Sequence, residues 1–258
     1  MTVNPLYSVA GVLVGLLVGL TGVGGGSLMT PLLVLAFGFH PATAVGTDLL
    51  YASVTKTVGT TVHGWRGTVD WRVVGRLALG SVPAALLSLL MLSQMGEGTG
   101  EAGNLMATLL GATLLVTAIA TLFRQRLVGW LVARLGTAQG TRLTVLTAAL
   151  GAMLGVLVSL TSVGAGALGM TALLVLYPRH ALKSLVGSDI AHAVPLTLLA
   201  GIGHWLLGSV DMSLLASLLL GSIPGIIVGS LLASSVKESV LRPILAVTLV
   251  LVGVKLLV

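Results

Sequence analysis

Apolar segments of roughly 12 to 25 residues follow one another along almost the whole chain, separated by glycine, proline and charge clusters. A helix needs about 20 apolar residues to cross a bilayer, so the pattern predicts an all-α polytopic membrane protein. Charged residues make up only 8% of the 258 residues, whereas soluble domains carry about 25%. A separate water-facing domain is therefore excluded.

Reading the breaks as boundaries gives ten segments, five in each half of the chain. They are 5–21, 27–38, 42–63, 71–95 and 102–123, then 142–160, 166–177, 183–206, 212–234 and 239–257. The second segment of each half has about 12 residues, or roughly 18 Å, against a hydrocarbon core of about 30 Å. These two segments either cross at a strained length or re-enter, so eight to ten crossings are expected.

Polar motifs repeat in the same order at a nearly constant offset, which indicates an internal duplication. "HPATAVGTDL" from His40 matches "HALKSLVGSDI" from His180, "GTVDW" from Gly67 matches "GSVDM" from Gly208, and "GSVPA" from Gly80 matches "GSIPG" from Gly221. We expect a first transmembrane repeat over 1–125, a basic cytoplasmic connector over 126–141 and a second repeat over 142–258.

The basic residues indicate how the halves are oriented. With five segments per half, an inverted arrangement places all but two of the thirteen Lys and Arg residues on the cytoplasmic side. The exceptions are Lys56, within a segment, and Lys255, near the last residue. Both termini then lie on the extracytoplasmic side. The protein itself is expected in the cell inner membrane. The pI of 10.3 reflects this topology, and no nucleic-acid partner is expected.

Two glycine-rich breaks, "LTGVGGGSLMTP" from Leu20 and "LTSVGAGALGMT" from Leu160, separate the first and second segments of each half. A helix start presents free N–H groups and a positive dipole end, which attract anions. Inverted halves would bring both helix starts to the midplane, around one central site. The alternative is that these glycines only allow close helix packing. No Gly-Lys-Ser/Thr follows either break, which excludes a phosphate-binding P-loop.

Ionisable residues within apolar segments are costly and therefore functional candidates. Asp48 and Asp189 occupy matched places, where each could bind a coupled proton or cation, or cap broken backbone opposite. Lys56 could neutralise an anion in transit, pair with a carboxylate or snorkel to the interface. His192 shares a broad helix face with Asp189 and is a candidate proton relay.

Four further polar residues occupy segment ends. His63 and His204 each lie beside a tryptophan, which favours interfacial anchoring. Asp70 and Asp211 directly precede helical segments, so we expect both to act as N-caps.

The motifs resemble those of the sulfite exporter TauE/SafE family, also called the TSUP family of membrane permeases. The resemblance rests on "GVGGGSLMTPLLV", "HPATAVGTDLL", "HGWRGTVDW", "GSVP", "GSDIAHAVPLTLLAGIGHWLLGSVD" and "GSIPG", and it covers essentially the whole chain. It implies secondary transport of small sulfur-containing anions, such as sulfite or sulfoacetate, across the bacterial inner membrane.

We therefore expect a secondary transporter that exports sulfite or a related organosulfonate with proton coupling. The expected substrate-binding residues are Thr21, Gly24, Gly25, Gly26, Ser27, Thr47, Lys56, Thr161, Gly164, Ala165, Gly166, Ala167 and Ser188, and the coupling residues are Asp48, Asp189 and His192. A small anion and the lipid bilayer are the expected partners, and a homo-oligomer is compatible with the pattern.

We expect neither an enzyme nor a metal or other cofactor. Two alternatives stay open. One is an intramembrane aspartyl protease built on Asp48 and Asp189, and the other is an anion channel or scaffold without coupled transport.

Overall fold

The computed structural model describes residues 4–21, 26–65, 69–95, 100–136, 138–232 and 238–257. Over these ranges the chain forms eleven α-helices joined by short connections. They are α1 (Pro5–Thr21), α2 (Gly26–Leu35), α3 (Pro41–Trp65), α4 (Trp71–Met95), α5 (Gly100–Leu122), α6 (Arg124–Leu135), α7 (Gly140–Thr161), α8 (Ala167–Leu176), α9 (Leu182–Leu206), α10 (Met212–Leu232) and α11 (Glu238–Leu257).

Ten of these helices confirm the ten apolar segments, with ends that differ by at most about three residues. The eleventh, α6, lies where the sequence predicts only a basic connector. Its side chains at Leu127, Val128, Leu131 and Val132 are half-buried, whereas Arg126 and Arg134 are exposed. Such an amphipathic pattern is helical but not uniformly apolar, so it does not stand out as a membrane segment.

Five helices are long and apolar enough to cross a membrane by length and composition: α4, α5, α7, α9 and the Met212–Gly229 part of α10. Large apolar side chains such as Leu79 and Leu87 of α4 lie on their outer surfaces, each about two-thirds exposed. A lipid environment matches this surface, and water does not. The protein is therefore a multi-pass membrane protein.

The two short helices, α2 and α8, are too short to cross the hydrocarbon region of a membrane. α2 and α8 contain ten residues each, or roughly 15 Å, which is about half of the hydrocarbon thickness.

Helices from the two halves of the chain pack against each other in pairs. α4 lies along α7, α1 along α10, α3 along α9 and α5 along α11. A Cβ atom on Gly80 would collide with the backbone of Ala148, and one on Gly151 with that of Leu77. The α1/α10 pair repeats these contacts at Gly221 with Ser8 and at Gly11 with Leu218. Small residues thus allow two equivalent close interfaces, as expected for duplicated halves.

The α3/α9 pair occupies the centre of the bundle. Val45 and Leu49 of α3 share a buried apolar cluster with Leu196 and Ala200 of α9. This pair also carries the buried carboxylates Asp48 and Asp189, so the core packing determines where the candidate site lies.

Candidate functional site

The glycine-rich break of the second half ends one helix and begins another, as predicted. α7 ends at Thr161, Ser162 follows in the left-handed conformation with φ 58°, and α8 begins at Ala167. Gly164 and Gly166 have φ values of 122° and 127°, which residues with a side chain rarely adopt. The break therefore brings the negative dipole end of α7 and the positive dipole end of α8 close together.

The expected site residues in this break lie together but make different contacts. The Thr161 hydroxyl donates to the Leu157 carbonyl at 2.6 Å and accepts from the Val163 N–H at 3.1 Å, so it shapes the break. Gly164 is buried, while Ala165, Gly166 and Ala167 are partly exposed. The turn before α8 is thus the accessible part of the break.

The first break falls between α1 and α2, again as predicted, since α1 ends at Thr21 and α2 begins at Gly26. Gly24 and Gly25 lie outside the described residues, as do the side chains of Thr21 and Ser27. Their expected role in substrate binding stays a prediction.

Asp48 is fully buried in α3, between α2 and the end of α7. Thr30 of α2 donates its hydroxyl to Oδ2 of Asp48. The hydroxyl of Ser162, from the opposite half, lies beside the same carboxyl group. Oδ1 of Asp48 and Oγ of Ser162 nevertheless complete no hydrogen bond with the described residues. A buried carboxylate thus retains free acceptor capacity next to the end of α7.

Asp189, the matched residue in α9, is only 4% exposed and faces α8. A Cβ atom on Gly169 would lie 2.7 Å from Oδ1 of Asp189, so glycine at this position makes room for the carboxyl group. Among the described residues this Oδ1 has no hydrogen-bond partner. The position that matches Thr30 in the second half is Met170, and the two carboxylates therefore differ in their hydroxyl support.

Lys56 joins the two carboxylates electrostatically. Its ammonium group attracts the carboxylates of Asp189 and Asp48. The same positive charge also acts on the imidazole ring of His192. Nε2 of the buried His192 lies 2.8 Å from Oγ of Ser81 in α4, a hydrogen bond whose donor depends on the tautomer. The structure thus brings Asp48, Lys56, Asp189 and His192 into one cluster.

The position that matches His192 in the first half is Tyr51, and Ser222 matches Ser81. Tyr51 and Ser222 approach each other, although neither hydroxyl completes a hydrogen bond within the described residues. A titratable imidazole in one half is therefore replaced by a phenol in the other.

Arg124, the first residue of α6, is a site residue that the sequence reasoning missed. It interacts electrostatically with Asp189. In sequence it lies between the fifth apolar segment and the basic connector, and only the packing of α6 on α8 brings it near the site.

Thr47 and Ser188 lie beside the two carboxylates in sequence, but their hydroxyl groups bind the connecting loops. Oγ1 of Thr47 accepts the N–H of Asp211 at 3.1 Å, and Oγ of Ser188 accepts the N–H of Asp70 at 2.8 Å. Each residue thus ties α3 or α9 to a loop of the opposite half, away from the cluster.

One prediction for the helix ends is wrong. His204 is 1% exposed, and its Nε2 lies 2.8 Å from the carbonyl oxygen of Ser159. It packs between α7 of its own half and Gly46 of α3, whereas the neighbouring Trp205 is 53% exposed. One helical step therefore separates a core residue from an outward-facing one. The matching His63 side chain lies outside the described residues.

Comparison with known proteins adds an independent observation. A family model described as "Sulfite exporter TauE/SafE" matches residues 7–256. The chain is 39% identical to the "Probable membrane transporter protein YjnA" of Bacillus subtilis (strain 168), over 81% of this chain and 82% of that protein.

Shorter matches extend this similarity. "Probable membrane transporter protein YunE" of the same organism is 42% identical over 28% of this chain and 25% of that protein. A "Probable membrane transporter protein" of Xylella fastidiosa (strain Temecula1) is 39% identical over 30% of each chain. No solved structure matches the chain significantly.

Proposed function

We propose a cargo and a coupling mechanism for this chain, which belongs to the sulfite exporter TauE/SafE family of membrane transporters. The cargo in this proposal is a small sulfur-containing oxyanion, sulfite or a related organosulfonate. The observation that carries the proposal is the cluster of the buried Asp48 and Asp189 with the half-buried Lys56, beside a helix end and a helix start. Because both halves contribute a carboxylate, their relative movement would change the site.

The anion would bind between the start of α8 and Lys56. Backbone N–H groups and the positive dipole end of a broken helix are suited to an anion at the membrane midplane. The side-chain-free Gly164 and Gly166 let it approach the backbone closely. The ammonium group of Lys56 supplies the compensating charge, and the matching start of α2 supplies the opposite wall.

A coupled proton would be carried by the carboxylates and His192. Asp189 has a buried oxygen without a hydrogen-bond partner among the described residues, and a proton there would be available for exchange. Binding of a proton and an oxyanion together reduces the net charge that must cross the hydrocarbon region. In our proposal the halves are inverted, rock around this site in the inner membrane and move the anion outward.

The test is sulfite flux into proteoliposomes under an imposed pH gradient. We expect saturable flux that follows the gradient in the unchanged protein. Asp189→Asn removes the exchangeable proton but keeps the side-chain shape, so gradient-driven accumulation should fall at least tenfold while sulfite exchange at equal pH persists. Glu101→Gln, at the exposed start of α5, is the matched control and should leave both activities unchanged.

Each outcome separates substrate from coupling. No sulfite or organosulfonate flux under any gradient would refute the proposed cargo. Gradient-driven accumulation that survives Asp189→Asn and Asp48→Asn would refute the coupling role. Flux that does not saturate with sulfite concentration would instead indicate a channel.

A further inference from the structure

The outward face of α6 carries a stripe formed by Arg126, Trp130 and Arg134. Their spacing of four residues places them on one side of the helix. All three are exposed, Trp130 by 56%, and the guanidinium carbon of Arg134 lies 5.3 Å from the centre of the Trp130 ring. Stacking on the ring holds Arg134 in place and leaves its N–H edge available to an oxyanion.

The location of α6 puts this stripe at the edge of the membrane. Only Phe123 separates α6 from the end of α5, a helix long and apolar enough to span. The opposite face of α6 packs on α8 and leaves the stripe outward. An exposed Trp flanked by Arg at the end of a spanning helix is typical of the headgroup level of a bilayer.

The charge around this stripe is positive and uncompensated in the sequence. No Asp or Glu occurs between Glu101 and Asp189, whereas that interval contains six Lys or Arg residues. Arg124 is half-buried and interacts electrostatically with Asp189 of the central cluster, whereas Arg126 and Arg134 are the exposed basic residues of α6. An anionic ligand complements this surface.

An open surface pocket lies at the corner where α5 meets α6. Its volume is about 400 Å³, and it is lined by Leu122, Phe123, Gln125 and Arg126. Leu122 and Phe123 are 51% and 43% exposed. The pocket thus combines an apolar wall with a guanidinium and an amide, as required by a ligand with a charged head and an apolar tail.

We propose that the α6 stripe and the adjoining corner pocket bind an anionic phospholipid of the surrounding membrane, with the phosphate held by Arg126 and Arg134. Trp130 lies at the headgroup level, and the first part of an acyl chain lies against Leu122 and Phe123. Arginine is suited to phosphate because its planar fork donates two parallel hydrogen bonds. The assignment does not depend on which anion the protein transports.

The experiment measures the melting temperature of the purified full-length protein in detergent during titration with phosphatidylglycerol. We expect a saturable rise in the melting temperature of the unchanged protein. In the Arg126→Gln/Arg134→Gln variant, the apparent affinity for phosphatidylglycerol should be about tenfold weaker. Arg142→Gln is the matched control, because Arg142 is an exposed arginine at the start of α7, outside the stripe. It should respond like the unchanged protein.

Three further outcomes decide the source of the ligand. Phosphatidylcholine should raise the melting temperature far less than phosphatidylglycerol, and glycerol phosphate or inorganic phosphate should not reproduce the rise. An equal rise with free phosphate would overturn the lipid assignment in favour of a soluble anion. An unchanged phosphatidylglycerol affinity in the double variant, measured from its own lipid-free melting temperature, would overturn the site itself.

Discussion

Asp211 and Asp70 illustrate how single polar residues join the two halves. Oδ1 of Asp211 accepts the N–H groups of Ser213 and Leu214, each at 2.9 Å, and thereby caps α10 as the sequence predicts. The N–H of Asp211 is bound in turn by Thr47 of the opposite half. Oδ1 of Asp70 likewise accepts the N–H of Arg72 at 3.0 Å. Asp211 thus caps α10 and also connects its loop to α3 by a hydrogen bond.

The cap at Asp211 predicts a pH-dependent effect on stability. Desolvation raises the pKa of Asp211, but the hydrogen bonds from Leu214 and Ser213 together lower it by more. The pKa of Asp211 therefore lies below its ordinary value. A carboxyl group whose folded pKa is depressed stabilises the native state fully above its unfolded pKa of about 3.9, and this stabilisation disappears as the pH falls through the folded pKa.

We therefore expect Asp211→Ala to lower the free energy of unfolding by about 1 kcal/mol at neutral pH, with a smaller difference below pH of about 4. Asp211→Asn retains an oxygen acceptor and should lose less at neutral pH. Thermal unfolding of the three proteins across pH measures both effects. A deficit for Asp211→Ala that is the same at every pH would contradict the charged cap.

The site residues show which part of a buried cluster can be predicted. Asp48, Lys56, Asp189 and His192 are recognisable because ionisable groups are rare in apolar segments. Ser162 and Arg124 are not, because serine is common in membrane helices and Arg124 resembles any positive-inside residue. Their proximity to the carboxylates depends on which helices meet, and no local pattern encodes that.

At the scale of elements, the close interface between α4 and α7 predicts a sharp contrast between two glycines of α4. A Cβ atom on Gly80 would collide with the backbone of α7, whereas one on Gly75 would meet open space. We expect Gly80→Ala to destabilise the protein by about 1–3 kcal/mol, because overpacking forces helices apart. Gly75→Ala should leave stability unchanged or raise it by up to about 1 kcal/mol.

Melting temperatures of the two variants in detergent test this contrast. Gly221→Ala provides a second comparison, since Gly221 makes the equivalent contact with Ser8 in the α1/α10 pair. A Gly80→Ala variant that melts like the Gly75→Ala variant would show that the helices are not in close backbone contact.

The elements themselves were largely predictable, for a physical reason. Hydrocarbon offers no hydrogen-bond partners to the backbone, so an apolar run of sufficient length has to be helical, and glycine or charge marks its ends. α6 escaped prediction because it lies where water and lipid meet. There an amphipathic helix and an irregular loop have similar compositions.

At the scale of the whole molecule, the proposed inversion of the halves can be tested by labelling, because the chain contains no cysteine. Trp71 and Met212 occupy equivalent positions at the starts of α4 and α10. We expect a membrane-impermeant maleimide to label Met212→Cys in intact cells, and to label Trp71→Cys only after permeabilisation. Labelling of both from the same side would contradict inversion.

The pairing of α1 with α10 has a consequence for biosynthesis. At translation rates of about 5–20 residues per second, the roughly 200 residues between these helices take on the order of 10–40 s to synthesise. During that interval the glycine-lined side of α1 lacks the helix on which it packs in the folded protein. α4 likewise lacks its partner until α7 has been synthesised. The α1/α10 interface can therefore form only after most of the chain has been synthesised, and a chain truncated before α10 leaves this face of α1 without its protein partner.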